Sequence, residues 1–181
     1  LVLWALLIAL GAFVIGPRVR TLVSMIRVPM LLAFSTASSE AAYPKTLEQL
    51  ERFGVSPRIA SFVLPLGYSF NLDGSMMYCT FATIFIAQAY GIDLTAMQLV
   101  TLLFLLLVTS KGIAGVPRAS LVVLAATLPH FGIPDEGMLL VLAVDQFLDM
   151  GRSATNVVGN SIASSVVAKW EGELAAPSRQ A

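Results

Sequence analysis

Asp145, Asp149, Arg152, Ser153, Asn156 and Asn160 follow one another at intervals of 4, 3, 1, 3 and 4 residues. At 100° per residue these positions share an arc of roughly 100° on one helix face. The residues between them are mostly apolar: Phe147, Leu148, Met150, Val157 and Val158. A polar stripe therefore runs down a helix that is otherwise compatible with lipid. A charged side chain in mid-bilayer costs at least ~2.5–3.5 kcal/mol, so the stripe must face protein, water or a ligand. A salt bridge between Asp149 and Arg152 at i,i+3, locking helices together, would account for two of the six residues. Six polar side chains in register suit the binding of a ligand better.

A second cluster surrounds Asp73, the single charge between Arg58 and Asp93. Its neighbours Asn71, Gly74 and Ser75 favour turns over helix interior, and Pro65 and Gly67 weaken the helix just before. The expected result is a helix broken at this point. An unwound turn exposes backbone carbonyls, and a carboxylate beside them makes an oxygen-rich cavity suited to a hard cation such as Na+. A kink with Asp73 capping a half-helix is the plainer alternative, compatible with the first. Asp73, Asp145, Asp149 and Arg152 together carry two excess negative charges. Buried carboxylates must be paired, coordinate metal or become protonated. Bound cations or protons would complete such a site, which is the physical basis for cation-coupled uptake.

The elements that hold these residues follow from composition and from where the charges fall. Of 181 residues 57% are hydrophobic and 12% charged, with a mean hydropathy of +0.82. Soluble domains carry roughly 25% charge, so a membrane protein is expected rather than a soluble enzyme. Eleven basic and eleven acidic residues leave no net charge to attract nucleic acid. The lone Cys79 and lone His130 exclude an intrachain disulfide, a thiolate zinc site and a multi-histidine metal site. The chain starts at Leu1 inside an apolar run and is expected to be a fragment lacking its earlier part.

Uncharged runs cover Leu1 to Pro17, Leu94 to Ser110, Ala119 to Pro134 and Ser153 to Ala168. Several fall short of the ~20 residues needed to span a bilayer, and the short ones end in Gly, Ser or Pro clusters. Short, interrupted segments suggest re-entrant hairpins with tips near 35–44 and 109–117. If both hairpins enter and leave on one side, Arg18, Arg20, Arg27, Lys45, Arg52, Arg58, Lys169 and Arg179 share a side. Asp93, Asp135 and Glu136 fall on the other. The positive-inside rule favours that arrangement. The order becomes helix, hairpin, helix, hairpin, helix, with the hairpin-plus-helix unit inverted on its second occurrence. Lys111 and Arg118 then lie near the second tip and need polar surroundings or snorkelling. The fold class expected is an all-α membrane protein with two re-entrant hairpins in an inverted repeat and one helix broken mid-membrane.

The segments AFSTASSEAAYP, LPLGYSFNLDGS, TSKGIAGVP and DQFLDMGRSATNVVGNS resemble the dicarboxylate/amino acid:cation symporter family, the bacterial proton/sodium-glutamate symporters in particular. Four motifs in the right order cover the chain from about Leu1 to Lys169. The resemblance implies the second half of such a transporter. Residues 1–17 would be a spanning helix left from the scaffold, and 18–170 a transport domain. That domain would hold hairpin 1 (18–57), the broken helix (58–92), hairpin 2 (94–134) and the last helix (136–170), before a polar tail (171–181).

The same resemblance implies roles for individual residues. Arg152 would hold the side-chain carboxylate of aspartate or glutamate, and Asp149 the amino group. Asp145 would orient Arg152, with Ser153 supporting the site. Asn156 and Ser75 would hydrogen-bond the substrate, and Ser38, Ser39 and Val116 would contact its backbone carboxylate region. Gly67, Asn71, Asp73, Asn156 and Asn160 would line cation sites. Ser69 with the carbonyls of Ser110, Lys111 and Ile113 would form another. No organic cofactor is implied, only Na+ and/or H+ as coupling ions. Implied too are an elevator-type movement gated by hairpin 2, a homotrimer at full length, lipid as the surrounding partner and a place in the bacterial inner membrane.

This sequence departs from the family pattern at several positions. Ala37 and Met150 stand where different relatives place a second arginine, and Asn160 where many sodium-coupled members have an aspartate. Cys79 stands where animal members carry a protonatable glutamate, and Ser120 replaces a glycine near hairpin 2. Asp149 points to an amino acid substrate, since dicarboxylate-only members tend to lack a carboxylate there. A C4-dicarboxylate symporter of the same family is the alternative. An intramembrane aspartyl protease using Asp73 and a later carboxylate is the rival from another class. Its Gly-x-Gly-Asp motif is absent, and Arg152 would disturb a shared proton.

Overall fold

The structure is a computed structural model and describes residues 2–70, 72–109 and 117–176. Among these residues it is all-helical, with no strand beyond one isolated antiparallel bridge between Val55 and Leu174. The helices are α1 Val2–Ile15, α2 Val19–Met25, α3 Arg27–Thr36, α4 Tyr43–Phe53, α5 Pro57–Phe70, α6 Asp73–Ala89, α7 Ala96–Thr109, α8 Ala119–Thr127 and α9 Met138–Trp170.

The first helix, α1, ends at Ile15, where Gly16 takes a left-handed φ of +68°. A 3-10 turn at Gly16–Arg18 with Pro17 in its first turn then leads into α2. The run Val2–Met25 has 24 residues and a mean hydropathy of 2.1, long and apolar enough to cross a membrane. By contrast α3, α4, α7 and α8 have 10, 11, 14 and 9 residues. At 1.5 Å per residue each is shorter than a hydrocarbon core of about 30 Å. Between α5 and α6, Leu72 has φ −97° and ψ 66°, outside helical geometry, and Asp73 opens α6.

The 33-residue α9 is about 50 Å long and organises the packing. Its neighbours are α1, α3, α5 and α6. Its first part joins a core of Cys79, Ile86, Leu102, Leu106, Leu124 and Val141. Its last part joins a second core of Leu22, Leu50, Phe53, Leu64, Val158 and Ile162. The stretch between Asp145 and Asn156 is the seam where the two cores meet.

Small residues let other helices approach this seam closely. The buried hydroxyls of Ser161, Ser164 and Ser165 donate to carbonyls four residues back at 2.7, 2.8 and 2.8 Å. These serines are therefore satisfied within α9 itself. At Gly74, a Cβ would run into the carbonyl oxygen of Arg152 and lie 3.0 Å from Thr155 Cβ. At Gly67 it would collide with the Asn160 side chain.

The outer faces are apolar. Phe13 is 90% exposed, Met97 74%, Val122 72% and Phe147 73%. An apolar surface of this extent suits hydrocarbon rather than water.

Residues 173–175 fold back onto the turn between α4 and α5 instead of trailing away as a separate tail. Ala175 N–H donates to Gly54 O at 2.8 Å and Ser56 N–H to Glu173 O at 3.2 Å. The Glu173 carboxylate takes the Arg58 guanidinium and the Ser56 hydroxyl. Arg18 donates to the carbonyls of Phe53 and Ala175 and stacks on the Phe53 ring, 5.1 Å from its centroid.

Two expected outcomes follow from this packing. Arg58, then Ser56, hold the Glu173 carboxyl below its ordinary value of 4.5. A depressed carboxylate contributes stability above the unfolded value and loses it as pH falls through the folded one. Protection of the Ser56 and Ala175 amides from hydrogen exchange, relative to the intrinsic rate at each pH, should therefore fall below about pH 4.5 in wild type, and Glu173→Gln should remove that pH step. Gly74→Ala should destabilise the fold by about 1–3 kcal/mol, the usual cost of overpacking, read as a lower thermal midpoint in detergent. An unchanged midpoint would show that α6 and α9 are not in close contact there.

Candidate functional site

The stripe on α9 is buried. Asp145, Asp149, Arg152, Ser153, Asn156 and Asn160 are each 2% exposed or less. Arg152 Nε donates to Asp149 Oδ1 at 2.5 Å, and a second guanidinium nitrogen pairs with the same carboxylate. The i,i+3 pair is thus formed, but it is one link in a larger network. Arg152 Nη1 donates to Ser75 Oγ at 2.9 Å, and Asn156 Nδ2 donates to the same oxygen at 3.3 Å. A serine hydroxyl has two acceptor positions and one hydrogen. Ser75 therefore accepts twice and keeps its own proton to donate.

The start of α6 is tied to α9 by its backbone as well. Gly74 N–H donates to Asn156 Oδ1 at 2.9 Å. The first N–H groups of a helix lack internal partners, and Asn156 serves one of them from another helix. This contact requires the close approach that Gly74 permits. Asp73, the first residue of α6, is half-buried. Its Oδ2 is buried with no hydrogen-bond partner among the described residues.

Asp145 has partners on other elements. Its Oδ1 accepts from Tyr78 OH at 2.6 Å, and its Oδ2 lies 3.9 Å from Arg118 Nε. Tyr78 and Arg118 are therefore members of the network to which the sequence assigned no role. For Tyr78 a signal existed: it lies three residues beyond Ser75 and so shares its helix face. Trp4 is a third addition, its indole N–H donating to Thr155 Oγ1 at 2.8 Å. Nothing in the spacing of a uniformly apolar α1 marks it.

The remaining candidates divide. Ser38 and Ser39 are buried in the turn between α3 and α4, where Ser38 Oγ accepts from Ala41 N–H at 3.2 Å. Ala33 and Ala42, which bracket that turn, pack against Val157, so the turn is carried to α9 beside Asn156. Ser153 Oγ is buried without a hydrogen-bond partner among the described residues. Gly67 lies against Asn160, while Ser69 is exposed. Asn71, Ser110, Lys111, Ile113 and Val116 lie outside the described residues.

A groove of about 720 Å³ runs between α6 and α9, walled by Phe81, Phe85, Phe147 and Leu148. Among the described residues it touches the polar network through Trp4, Gly74, Tyr78, Arg152 and Thr155. A small charged solute needs convergent polar groups. The candidate site is therefore the polar cluster beside the groove, not the groove itself.

This arrangement can hold a ligand carrying both signs of charge, with an arginine and carboxylates on one face and a spare hydroxyl proton between them. Several known proteins have similar sequences. The proton/sodium-glutamate symport protein of Geobacillus stearothermophilus is 52% identical over 158 residues, 87% of this chain and 38% of that protein. The proton/glutamate-aspartate symporter of Escherichia coli K12 is 52% identical over 172 residues, 94% of this chain and 39% of its own length. A C4-dicarboxylate transport protein of Cupriavidus necator is 46% identical over 171 residues, 93% and 40%. The chain thus spans about two fifths of the length of these relatives. All three are named for transport and none for peptide cleavage, which sets the peptidase reading of the carboxylates aside. With the model of the sodium:dicarboxylate symporter family matching residues 1–170 as well, the chain belongs to that family.

Proposed function

We propose that this chain is the substrate-binding part of a secondary active symporter that imports L-glutamate or L-aspartate together with Na+ or H+. The observation that carries the reading is the buried Asp149–Arg152–Ser75–Asn156 network. An acidic amino acid brings the complementary groups, a side-chain carboxylate for Arg152 and an ammonium for Asp149. Bidentate guanidinium recognition suits the carboxylate. Binding replaces one internal ion pair by two pairs with the solute, so no charge is left buried alone. The Ser75 proton and the Asn156 amide supply further hydrogen bonds.

The coupling ion belongs at the break between α5 and α6. The Asp73 Oδ2 that no group in the described residues satisfies favours a cation or a proton, because an acceptor buried without a donor is costly. Gly67, Asn71, Asn156 and Asn160 would complete that region, and Ser69 with the carbonyls of Ser110, Lys111 and Ile113 would form a second cation position. In this reading α3–α4 and α7–α8 are the two re-entrant hairpins of an inverted repeat, and residues 18–170 move as one transport domain within a homotrimer. The basic residues Arg18, Arg20, Arg27, Lys45, Arg52, Arg58 and Lys169 mark the cytoplasmic side of a bacterial inner membrane.

The C4-dicarboxylate alternative keeps the Arg152 assignment but leaves Asp149 without an ammonium to bind. Uptake of radiolabelled glutamate into proteoliposomes, with sodium and proton gradients imposed separately on the full-length protein, tests the function. Arg152→Cys should cut that uptake by about 100-fold or more, as expected for breaking a buried charge pair; undiminished flux would sink the arginine assignment. Asp149→Ser should weaken glutamate far more than succinate in a competition assay. Equal losses for the two ligands would favour the dicarboxylate reading.

A further inference from the structure

The stripe on α9 and Asp73 together place three carboxylates against one guanidinium, and the burial of Asp145 leaves its Oδ2 with no hydrogen bond among the described residues. Among those residues a second cation, Arg118, reaches this region from a different part of the chain. Arg118 stands just before α8, where its backbone N–H donates to Asp149 Oδ2 at 2.7 Å. Its Nε lies 3.9 Å from Asp145 Oδ2. A single residue thus addresses both α9 carboxylates, one by backbone and one by side chain. The neighbouring turn is fixed from the other side, since Cys79 Sγ donates to Ser120 O at 3.8 Å.

The backbone at this position carries a second, independent signal. Arg118 has φ +62° and ψ 8°, the left-handed region. A side chain there is disfavoured by sterics, and glycine is the residue that adopts it at no cost. Strain of this kind persists where the surroundings impose it, and it marks positions with a task. An arginine at a position that favours glycine implies that its guanidinium has a use that the backbone alone does not supply.

We propose that Arg118 is the second arginine of the substrate site, a positioning residue that holds Asp145 with its guanidinium and Asp149 with its backbone N–H. The inference rests on the reading of this cluster as an acidic amino acid site. Asp149 then receives Arg152 on Oδ1 and Arg118 on Oδ2, which fixes the carboxylate plane presented to a substrate ammonium. Asp145 is held between Tyr78 and Arg118, one turn from Asp149. With Arg118 counted, the carboxylates exceed the guanidiniums by one rather than two. That leaves Asp73 as the group a single coupling cation or proton neutralises.

Glycine substitution separates the charge from the backbone. Arg118→Gly keeps the N–H on Asp149 and relieves the left-handed strain, so its thermal midpoint should equal or exceed that of wild type. Its glutamate Kd, measured on the full-length transporter, should rise about 10-fold, as for losing a partly exposed partner of a buried charge. Arg118→Lys should recover the affinity to within about 3-fold. In an Asp145→Asn background, Arg118→Gly should add less than about 2-fold, because the charge it serves is already gone. Wild-type affinity in Arg118→Gly, or a loss of equal size with and without Asp145→Asn, would overturn the assignment while leaving the site reading in place. Absence of glutamate binding by wild type would overturn both.

Discussion

Burying charge on one face of α9 is the constraint from which the rest of this structure follows. Arg152 and Asp149 are almost wholly shielded from solvent, where an ion without a partner costs several kcal/mol. Their mutual pair does not use all the donors of the guanidinium or all the acceptor positions of the carboxylate. Ser75 is brought to the former and the Arg118 N–H to the latter. Each contact makes a demand on the element that supplies it. The start of α6 must come close enough that residue 74 has no side chain, and α8 must begin from a left-handed residue.

The same demand explains why two cores exist rather than one. A continuous apolar core through the middle of α9 would have left the stripe without partners. Instead Val141 anchors one packing unit and Val158 and Ile162 another, with the polar seam between them. The start of α6, with N–H groups lacking internal partners, faces Asn156 at this seam. Backbone outside regular structure is tolerated at membrane depth where it lines a protein-enclosed cavity.

Much of this was legible before any coordinates. The membrane character followed from the scarcity of charge, and the polar stripe from residue spacing. The helix break followed from Asn71 to Ser75, residue types that compete with helical hydrogen bonding. Less legible was the path of the chain after α9. Residues 173–175 read as a free polar tail, yet they pair with the α4–α5 turn. There Arg58, 115 residues away in sequence, meets Glu173.

Sequence by itself determined which residues share a face of α9, because angular position on a helix is a matter of local spacing alone. The tertiary structure decided which group answers each carboxylate. Tyr78 and Arg118 reach Asp145, Arg118 reaches Asp149, and Gly74 reaches Asn156, across separations of 67, 31 and 82 residues for the hydrogen bonds among them. Hydrogen bonds and ion pairs depend on distance and direction in space. No periodicity in one helix specifies which of its neighbours stands within 3 Å of a given oxygen.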